Sequence, residues 1–376
     1  MELSDCRKII DGINNEMLKL FCERMKTSRL VAEYKAEHGL PIMNHARERE
    51  IIYEMTEKAG PEFEYYTKVF YNVIMDLSRA YQAKLLNRES TVSDTVRAYR
   101  ENVNSPFPRR AVVACQGVEG AYSQLACEKM FETARIRYYR SFGEVFEAVR
   151  DGECEFGMLP IENSTYGTVS EVYDLMKKHS FCIVRELKLR VDHCMLAKKG
   201  TSLENVREVL SHGQALGQCG DFFADHRDII LRACANTAAA AKEVAESSRN
   251  DIAAIASASC AELYGLEVIA EGLQNNKHNY TRFICISRDG RIYPGARKIS
   301  LMLTLPHTPG SLYTALAKLT ANGLNLTKLE SRPIEGSDFD VCFYFDIEAS
   351  PEDPNLLSVL DELNSHCETF AFLGAY

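Results

Sequence analysis

The chain has 376 residues, 46% hydrophobic and 26% charged, with a net charge of -9. Its length exceeds one ordinary core and predicts two or three domains, its balance is that of a folded globular protein, and its acidic excess argues against a nucleic-acid binder. The 13 cysteines fall singly from Cys6 to Cys367 without a C-x-x-C pair, so they read as reduced, mostly buried thiols rather than a zinc or redox set. The N-terminal eleven residues lack a basic start followed by an apolar run, and no run approaches membrane-spanning length, so the expected compartment is the cytoplasm.

Over 3–37 the apolar positions Ile10, Ile13, Met17, Leu20 and Phe21 recur at helical spacing, and Arg24, Val31 and Lys35 continue the same line. A second helix follows Pro41, with Asn44 as N-cap and Ile51, Ile52 and Met55 facing inward. Arg47 and Glu48 precede Ile51 and Ile52 by four and are expected to point the same way. A third helix is predicted over 62–87 on the stripe Tyr66, Val69, Phe70, Val73, Ile74, Leu77 and Tyr81, with Ser78 and Gln82 four and eight residues beyond Ile74. Buried charge must be paired, and the cations Arg7, Arg24, Lys35 and Arg47 outnumber Glu48, a surplus that suits a dianionic ligand.

Residues 88–110 lose the apolar stripe and end in two prolines, which reads as a linker, helical at first. From Ala111 short β-rich runs alternate with helices: strands at 111–115, 136–139 and 156–161, helices at 121–131 and 142–151, and a further helix after Gly167 and Thr168. A second set has strands at 194–197, 206–210 and 252–256 and helices at 214–223, 237–245 and 257–263. The run 281–287 returns to the first lobe and leaves a cleft between the two.

Open α/β sheets bind ligands beyond the carboxyl ends of their strands. There lie Q-G-V-E-G-A-Y-S at 116–123, P-I-E-N-S at 160–164, S-H-G-Q-A-L-G-Q-C at 211–219 and N-Y-T-R-F at 279–283. Residues 298–305 then alternate as a half-buried strand, P-G-S-L-Y at 309–313 opens a helix to 321, and strands at 325–332 and 339–347, a helix at 355–365 and a strand at 369–372 complete the order βαββαβ.

The first 87 residues resemble the all-helical chorismate mutase domain in register through R-K-I-I-D, E-R-M, the Lys of E-Y-K, P-I-M-N, R-E-R-E and S-R-A-Y-Q. By that resemblance Arg7, Arg24, Lys35, Arg47, Glu48, Ser78 and Gln82 line a site for chorismate, whose two carboxylates match the cationic surplus. On the same resemblance Lys35 and Gln82 would act as donors to the breaking ether oxygen. Asn44, counted with the site, stands where an Asp is common.

The four polar motifs resemble prephenate dehydratase over 110–288. The resemblance implies a two-lobed cleft like that of periplasmic solute-binding proteins, with Thr281 most tied to catalysis. Glu162, Asn163, Ser164, Ser211, Gln214, Gln218, Arg282 and Phe283 would surround prephenate, and Gly213 replaces the Pro that usually follows the His. P-G-S-L-Y and L-E-S-R-P resemble the phenylalanine-sensing elements of an ACT regulatory domain. They imply feedback inhibition through Gly310, Ser311, Leu312, Tyr313, Glu330, Ser331, Arg332 and Pro333. No metal or organic cofactor is implied.

The expected chain is therefore multidomain: an all-α mutase domain at 1–90, a linker at 91–109, a two-lobed α/β dehydratase domain at 110–288 and an α+β ACT domain at 298–376. Helix geometry adds a homodimer or higher homo-oligomer. Arg7 and Arg24 lie about 25 Å apart along one helix and about 100° around it, whereas Arg24 and Lys35 differ by only about 16 Å and 20°. Arg7 is therefore expected to serve the site of a symmetry-related chain. Two rivals stay open: a non-catalytic two-lobed sensor with an ACT module, and an enzyme retaining only one of the two activities.

Overall fold

Three helices open the chain, α1 (Leu3–Glu37), α2 (His45–Ala59) and α3 (Glu64–Leu85). The computed structural model describes residues 2–86, 91–102, 106–334, 336 and 340–376. The expected element ends at Asn87 and Phe339 lie outside the described residues.

As one 35-residue rod, α1 spans about 52 Å. Among the described residues its second half packs on α3, where Ser28 and Ala32 are buried and admit close approach. The expected inward stripe of α1 is exposed in the single chain, with Ile10 at 53%, Ile13 at 50% and Met17 at 47%. Likewise α3 buries Ile74, Met75, Ser78 and Gln82 but exposes Tyr66, Val69, Phe70 and Leu77. Periodicity identified both helices, but the inward expectation holds only for part of α3 and not for the α1 stripe.

The segment expected to be a linker contains α4 (Thr91–Glu101), which packs on the C-terminal unit. Val92 and Val96 enter that unit's core, Tyr99 packs against it one turn on, and Ser93 Oγ donates to Asp361 at 2.7 Å. A three-residue stripe at i, i+4 and i+7 is enough to dock a helix, and the charges around it hid it from the sequence reading.

The first lobe contains β1 (Arg110–Gln116), α5 (Tyr122–Met130), β2 (Thr133–Tyr139), α6 (Phe142–Arg150), β3 (Phe156–Asn163), β4 (Gly167–Thr168), α7 (Ser170–Met176) and β5 (Cys182–Arg190). The chain then builds the second lobe from β6 (Cys194–Ala197), β7 (Glu208–His212), α8 (Gly213–Gln218), α9 (Gly220–Ala224), β8 (Ile230–Cys234), α10 (Thr237–Glu246), β9 (Ile252–Ala256), α11 (Ser259–Tyr264) and β10 (Glu267–Ala270). It returns as β11 (Tyr280–Ser287), between β3 and β5 and antiparallel to both. The sheet orders are β2-β1-β3-β11-β5, with β4 beside β3, and β10-β6-β9-β7-β8. Each sheet is parallel in part and antiparallel where the chain crosses between lobes, so two adjacent crossings form the floor of the cleft.

Last come β12 (Lys298–Thr304), α12 (Ser311–Ala321), β13 (Asn325–Pro333), β14 (Val341–Glu348), α13 (Pro354–Asn364) and β15 (Thr369–Ala375), an antiparallel sheet ordered β13-β14-β12-β15. One face of this sheet joins the first lobe, where Cys342, Tyr344 and Leu373 share a core with Ile284 and Ile286. The contact is close enough that Gly374, at φ +144°, lies against the Ile183 backbone and leaves no room for a β-carbon.

Candidate active sites

In the helical unit, Arg24 reaches from α1 onto α3, donating to Ser78 Oγ and to the Ile74 carbonyl at 3.5 Å, with Met75 Sδ at 3.3 Å. These partners are neutral and burial lowers the Arg24 pKa, so an anion beside this cation would be favoured. One turn along, the Gln82 amide is buried, its Oε1 without a partner among the described residues. Lys35 donates to the Ile42 carbonyl at the start of the turn into α2. Asn44 caps α2 by accepting from the Arg47 N–H at 3.1 Å, as its position predicted.

Glu48 pairs with Arg79, which also holds Asp76. Sequence reasoning missed Arg79, although it sits inside S-R-A-Y-Q next to Ser78. Arg47 corrects the inward expectation: it is exposed and pairs with Glu50 at 2.6 Å on its own helix, a contact of small energetic weight. Arg7 is exposed on the unsupported half of α1.

The second centre lies where the chain crosses between lobes. The two crossings are stitched together by Val191 N–H to the Asn279 carbonyl at 2.8 Å, Leu273 N–H to the His193 carbonyl at 3.1 Å, and His193 N–H to Gln274 Oε1 at 2.9 Å. Asn163, at the end of β3, accepts the Thr165 and Tyr166 N–H groups at 2.9 and 3.0 Å in an Asx-type turn. Its Nδ2 donates to Thr281 Oγ1 at 3.0 Å and to Asn279 Oδ1 at 2.8 Å. Asn279 Nδ2 and His193 Nε2 both lie 2.7 Å from Gln218 Oε1.

Ser164 ties the same loop to β11, donating to the His278 carbonyl and accepting from Tyr280 N–H, both at 2.9 Å. A cavity of about 160 Å³ adjoins this chain of amides, lined in part by Thr165, Tyr166, Gly217, Gln218, Gln274 and Asn279. A β-carbon on Gly217 would come within 2.5 Å of Tyr166 Oη, so a glycine there lets loop and helix meet at the cleft.

The structure does not bring every expected residue to this cleft. Alternation along β11 sends Thr281 and Phe283 to one face and Arg282 to the other. Arg282 meets Glu186 and Asp346 at 2.6 Å each and Tyr376 Oη at 2.8 Å. Burial opposes its charge, but Tyr376, Asp346 and Glu186 outweigh that and raise its pKa. Glu162 shares that face and pairs with Lys328 at 2.8 Å.

Phe283 sits in the core with Phe131 and Phe156, and Ser211 is wholly buried, donating to the Ile255 carbonyl at 2.6 Å. Gln214 is exposed in the first turn of α8, its N–H donating to His212 Nδ1 at 3.4 Å. Arg282, Glu162, Phe283 and Ser211 are thus held by contacts within the protein rather than by the amide chain of the cleft. Missed were Asn279, which opens N-Y-T-R-F; Tyr166, which follows P-I-E-N-S; and His193 and Gln274, which lie on connectors without a local signal.

The C-terminal motifs face both other units. Gly310, at φ +91°, precedes α12; Ser311, Leu312 and Tyr313 form its first turn, and Thr314 Oγ1 donates to Asp76 of α3 at 3.1 Å. On β13, Lys328, Glu330 and Arg332 face the first lobe while Ser331 and Pro333 are exposed. Glu330 accepts from Thr168 at 2.7 Å, and Arg332 pairs with Asp174 at 2.8 Å and donates to Ser170 at 3.2 Å. This strand therefore grips β4 and α7, directly downstream of the Asn163 turn. Among the described residues no group of three or more His, Cys, Asp or Glu is placed to hold a metal, and no helix is long and apolar enough to cross a membrane.

A helical unit with cations in its seam, joined to a two-lobed unit with a polar cleft, defines a multidomain protein with two separate polar centres. Residues 6–83 match the family model for chorismate mutase type II, and residues 113–291 match that for prephenate dehydratase. A bifunctional chorismate mutase/prephenate dehydratase of Enterobacter agglomerans is 30% identical, over 98% of this chain and 94% of that protein. An arogenate dehydratase/prephenate dehydratase of Arabidopsis thaliana is 39% identical over 71% of this chain and 73% of its own length. The crystal structure of prephenate dehydratase from Arthrobacter aurescens in complex with L-Phe superposes with a TM-score of 0.65 at 28% identity, over 70% of this chain and 89% of that one.

The chain belongs to the family of bifunctional chorismate mutase/prephenate dehydratases. It is an isomerase and a lyase, carrying the two steps from chorismate through prephenate to phenylpyruvate in phenylalanine biosynthesis.

Proposed function

We propose that the two centres divide the work between residues 1–90 and 110–288, that residues 298–376 form an ACT domain sensing phenylalanine, and that the chain works as a cytoplasmic homodimer or higher homo-oligomer. At the first centre Arg24 and Lys35 of one chain, with Arg7 of its partner, hold the two carboxylates of chorismate. Ser78 orients Arg24, Glu48 lines the site, and Gln82 and Lys35 donate to the ether oxygen as its bond breaks. The rearrangement is pericyclic and needs positioning and charge stabilisation rather than a nucleophile. The exposed stripe Ile10, Ile13 and Met17 supports the dimer, since a row of apolar side chains of that length calls for a covering surface.

At the second centre prephenate loses its ring carboxylate as carbon dioxide, the bonding pair enters the ring, and the hydroxyl leaves with a proton as water. One observation carries the assignment of Thr281: its Oγ1 accepts from Asn163 Nδ2 at 3.0 Å, which leaves its own proton free for the departing oxygen. A Thr hydroxyl does not titrate in this range, so it stabilises and relays. The cleft is of the periplasmic-binding-protein kind, with Asn163, Ser164, Gln214 and Gln218 around the substrate. Phenylalanine binds at 310–313 and 330–333, and the grip of Glu330 and Arg332 on Thr168 and Asp174 supports a direct effect on the cleft.

The test is chorismate given to the full chain with both products followed. The parent chain yields phenylpyruvate, and Thr281→Ala stops at prephenate. Undiminished phenylpyruvate from Thr281→Ala would remove Thr281 from the mechanism.

A further inference from the structure

The amide chain in the cleft has only one consistent set of directions. Asn163 Oδ1 accepts two backbone N–H groups, which have no other polarity to offer, so its other end must be the donor. Asn279 must then present its oxygen to Asn163 and its nitrogen to Gln218, and Gln218 must present its oxygen. Reversing any one amide sets two donors or two acceptors against each other.

The direction runs on to a fully buried residue outside all the sequence motifs. His193 is 2% exposed, and its Nε2 lies 2.7 Å from the same Gln218 oxygen, so this nitrogen carries the proton. Burial lowers the His193 pKa, which keeps the ring in the neutral Nε2–H tautomer. Gln218 lines the cavity, and contacts on both sides of its oxygen fix which end of the amide is the nitrogen.

We propose that His193 is a positioning residue of the dehydratase centre: by holding the Gln218 carbonyl it presents the Gln218 amide and the Thr281 hydroxyl to the cleft as a matched pair of donors. Thr281 serves the leaving hydroxyl, and Gln218 serves the carboxylate that prephenate retains. This rests on the assignment of the cleft to the dehydratase step. Without His193 the Gln218 carbonyl is held on one side only, and its amide is free to swing away from the substrate.

The experiment compares His193→Gln with His193→Asn, two polar replacements of which only the Gln places its amide nitrogen near the position of Nε2. His193→Gln should keep most of the dehydratase kcat/KM, while His193→Asn should lose on the order of tenfold or more, the scale of one buried hydrogen bond. In a Gln218→Ala background the two should differ by less than about twofold, because the partner through which His193 acts is gone. Denaturant unfolding of each chain reports on an intact two-lobed unit, and mutase turnover on chorismate reports on the helical unit. Equal activity of the two replacements, or an undiminished difference in the Gln218→Ala background, overturns the proposal. Thr281→Ala separates the two readings: if it retains dehydratase activity the assignment of the cleft fails, whereas if it is inactive and the His193 variants are equal, only the positioning role fails.

Discussion

Thr281 and Arg282 are consecutive in β11, yet Thr281 Oγ1 meets Asn163 in the cleft while the Arg282 side chain, 7% exposed, is locked between Glu186 and Asp346 at 2.6 Å each. Lys298 and Ser300 close the same cluster from β12, at 2.6 Å to Glu186 and 2.5 Å to Asp346. The strand thus joins the cleft on one face to the C-terminal unit on the other.

Arg282→Ala should therefore be a stability variant first. Removing the cation leaves Asp346 buried with only the Ser300 hydroxyl and Glu186 with Lys298 alone, at a cost of about 3–5 kcal/mol. Denaturant unfolding of the full chain measures it. Unchanged stability with a raised KM for prephenate would return Arg282 to the substrate contacts.

Gln82→Glu should convert a mutase that needs no acid into one that does. Gln82 is buried, so a carboxyl there would hold its proton to higher pH than usual and donate only while protonated. Mutase kcat should survive towards acid pH and fall as pH rises. An unchanged pH profile excludes Gln82 as the donor to the ether oxygen.

Arg7→Ala and Arg24→Ala homodimers should both be nearly inactive as mutases, yet mixing them should restore activity. A mixed dimer rebuilds one intact site and leaves the other doubly defective, and random exchange makes about half the dimers mixed, so recovery should reach roughly a quarter of the parent value. No recovery after demonstrated subunit exchange would mean that Arg7 does not act across the interface.

Asp174 lies outside the sensing motifs but receives Arg332 at 2.8 Å, and hydrogen bonding from that guanidinium lowers its carboxyl pKa. If residues 310–313 and 330–333 sense phenylalanine as proposed, Asp174→Asn should leave its binding within about threefold and relieve most of the resulting inhibition, because the link is cut while the binding elements stay. Calorimetric binding beside dehydratase assays tests this. Inhibition as strong as in the parent would place the coupling elsewhere.

His366 accepts from the Lys318 ammonium at 2.7 Å, and burial together with that cation pushes its pKa down to about 4. Between about pH 6.5 and 4 the unfolded chain binds a proton that the folded chain refuses, so stability falls as pH drops through this window and levels off below it. His366→Gln should flatten that part of the acid limb. Unfolding midpoints from pH 7 to 4.5 that run parallel in variant and parent would exclude the role.

The residues alone determined what depends on local order. Asn44 caps α2, Ser78 and Gln82 fall on the buried side of α3, and the order βαββαβ follows from runs of apolar residues, because caps and periodicities act over a few positions. That Asn163 and Thr281 meet came from two motifs of one family, and β3 and β11 are indeed paired.

Tertiary structure decided the rest. An apolar stripe looks the same whether its partner is its own core or a second chain, so Ile10 to Met17 read as buried and stand exposed. Val92, Val96 and Tyr99 are too few for a periodic signal, and they matter only because α13 lies opposite. Alternation put Arg282 and Thr281 on opposite faces, but which face meets the cleft depends on what covers the other. His193 joins Gln218 because the chain crosses between the lobes twice and its crossings lie side by side, a closeness in space that no stretch of sequence carries.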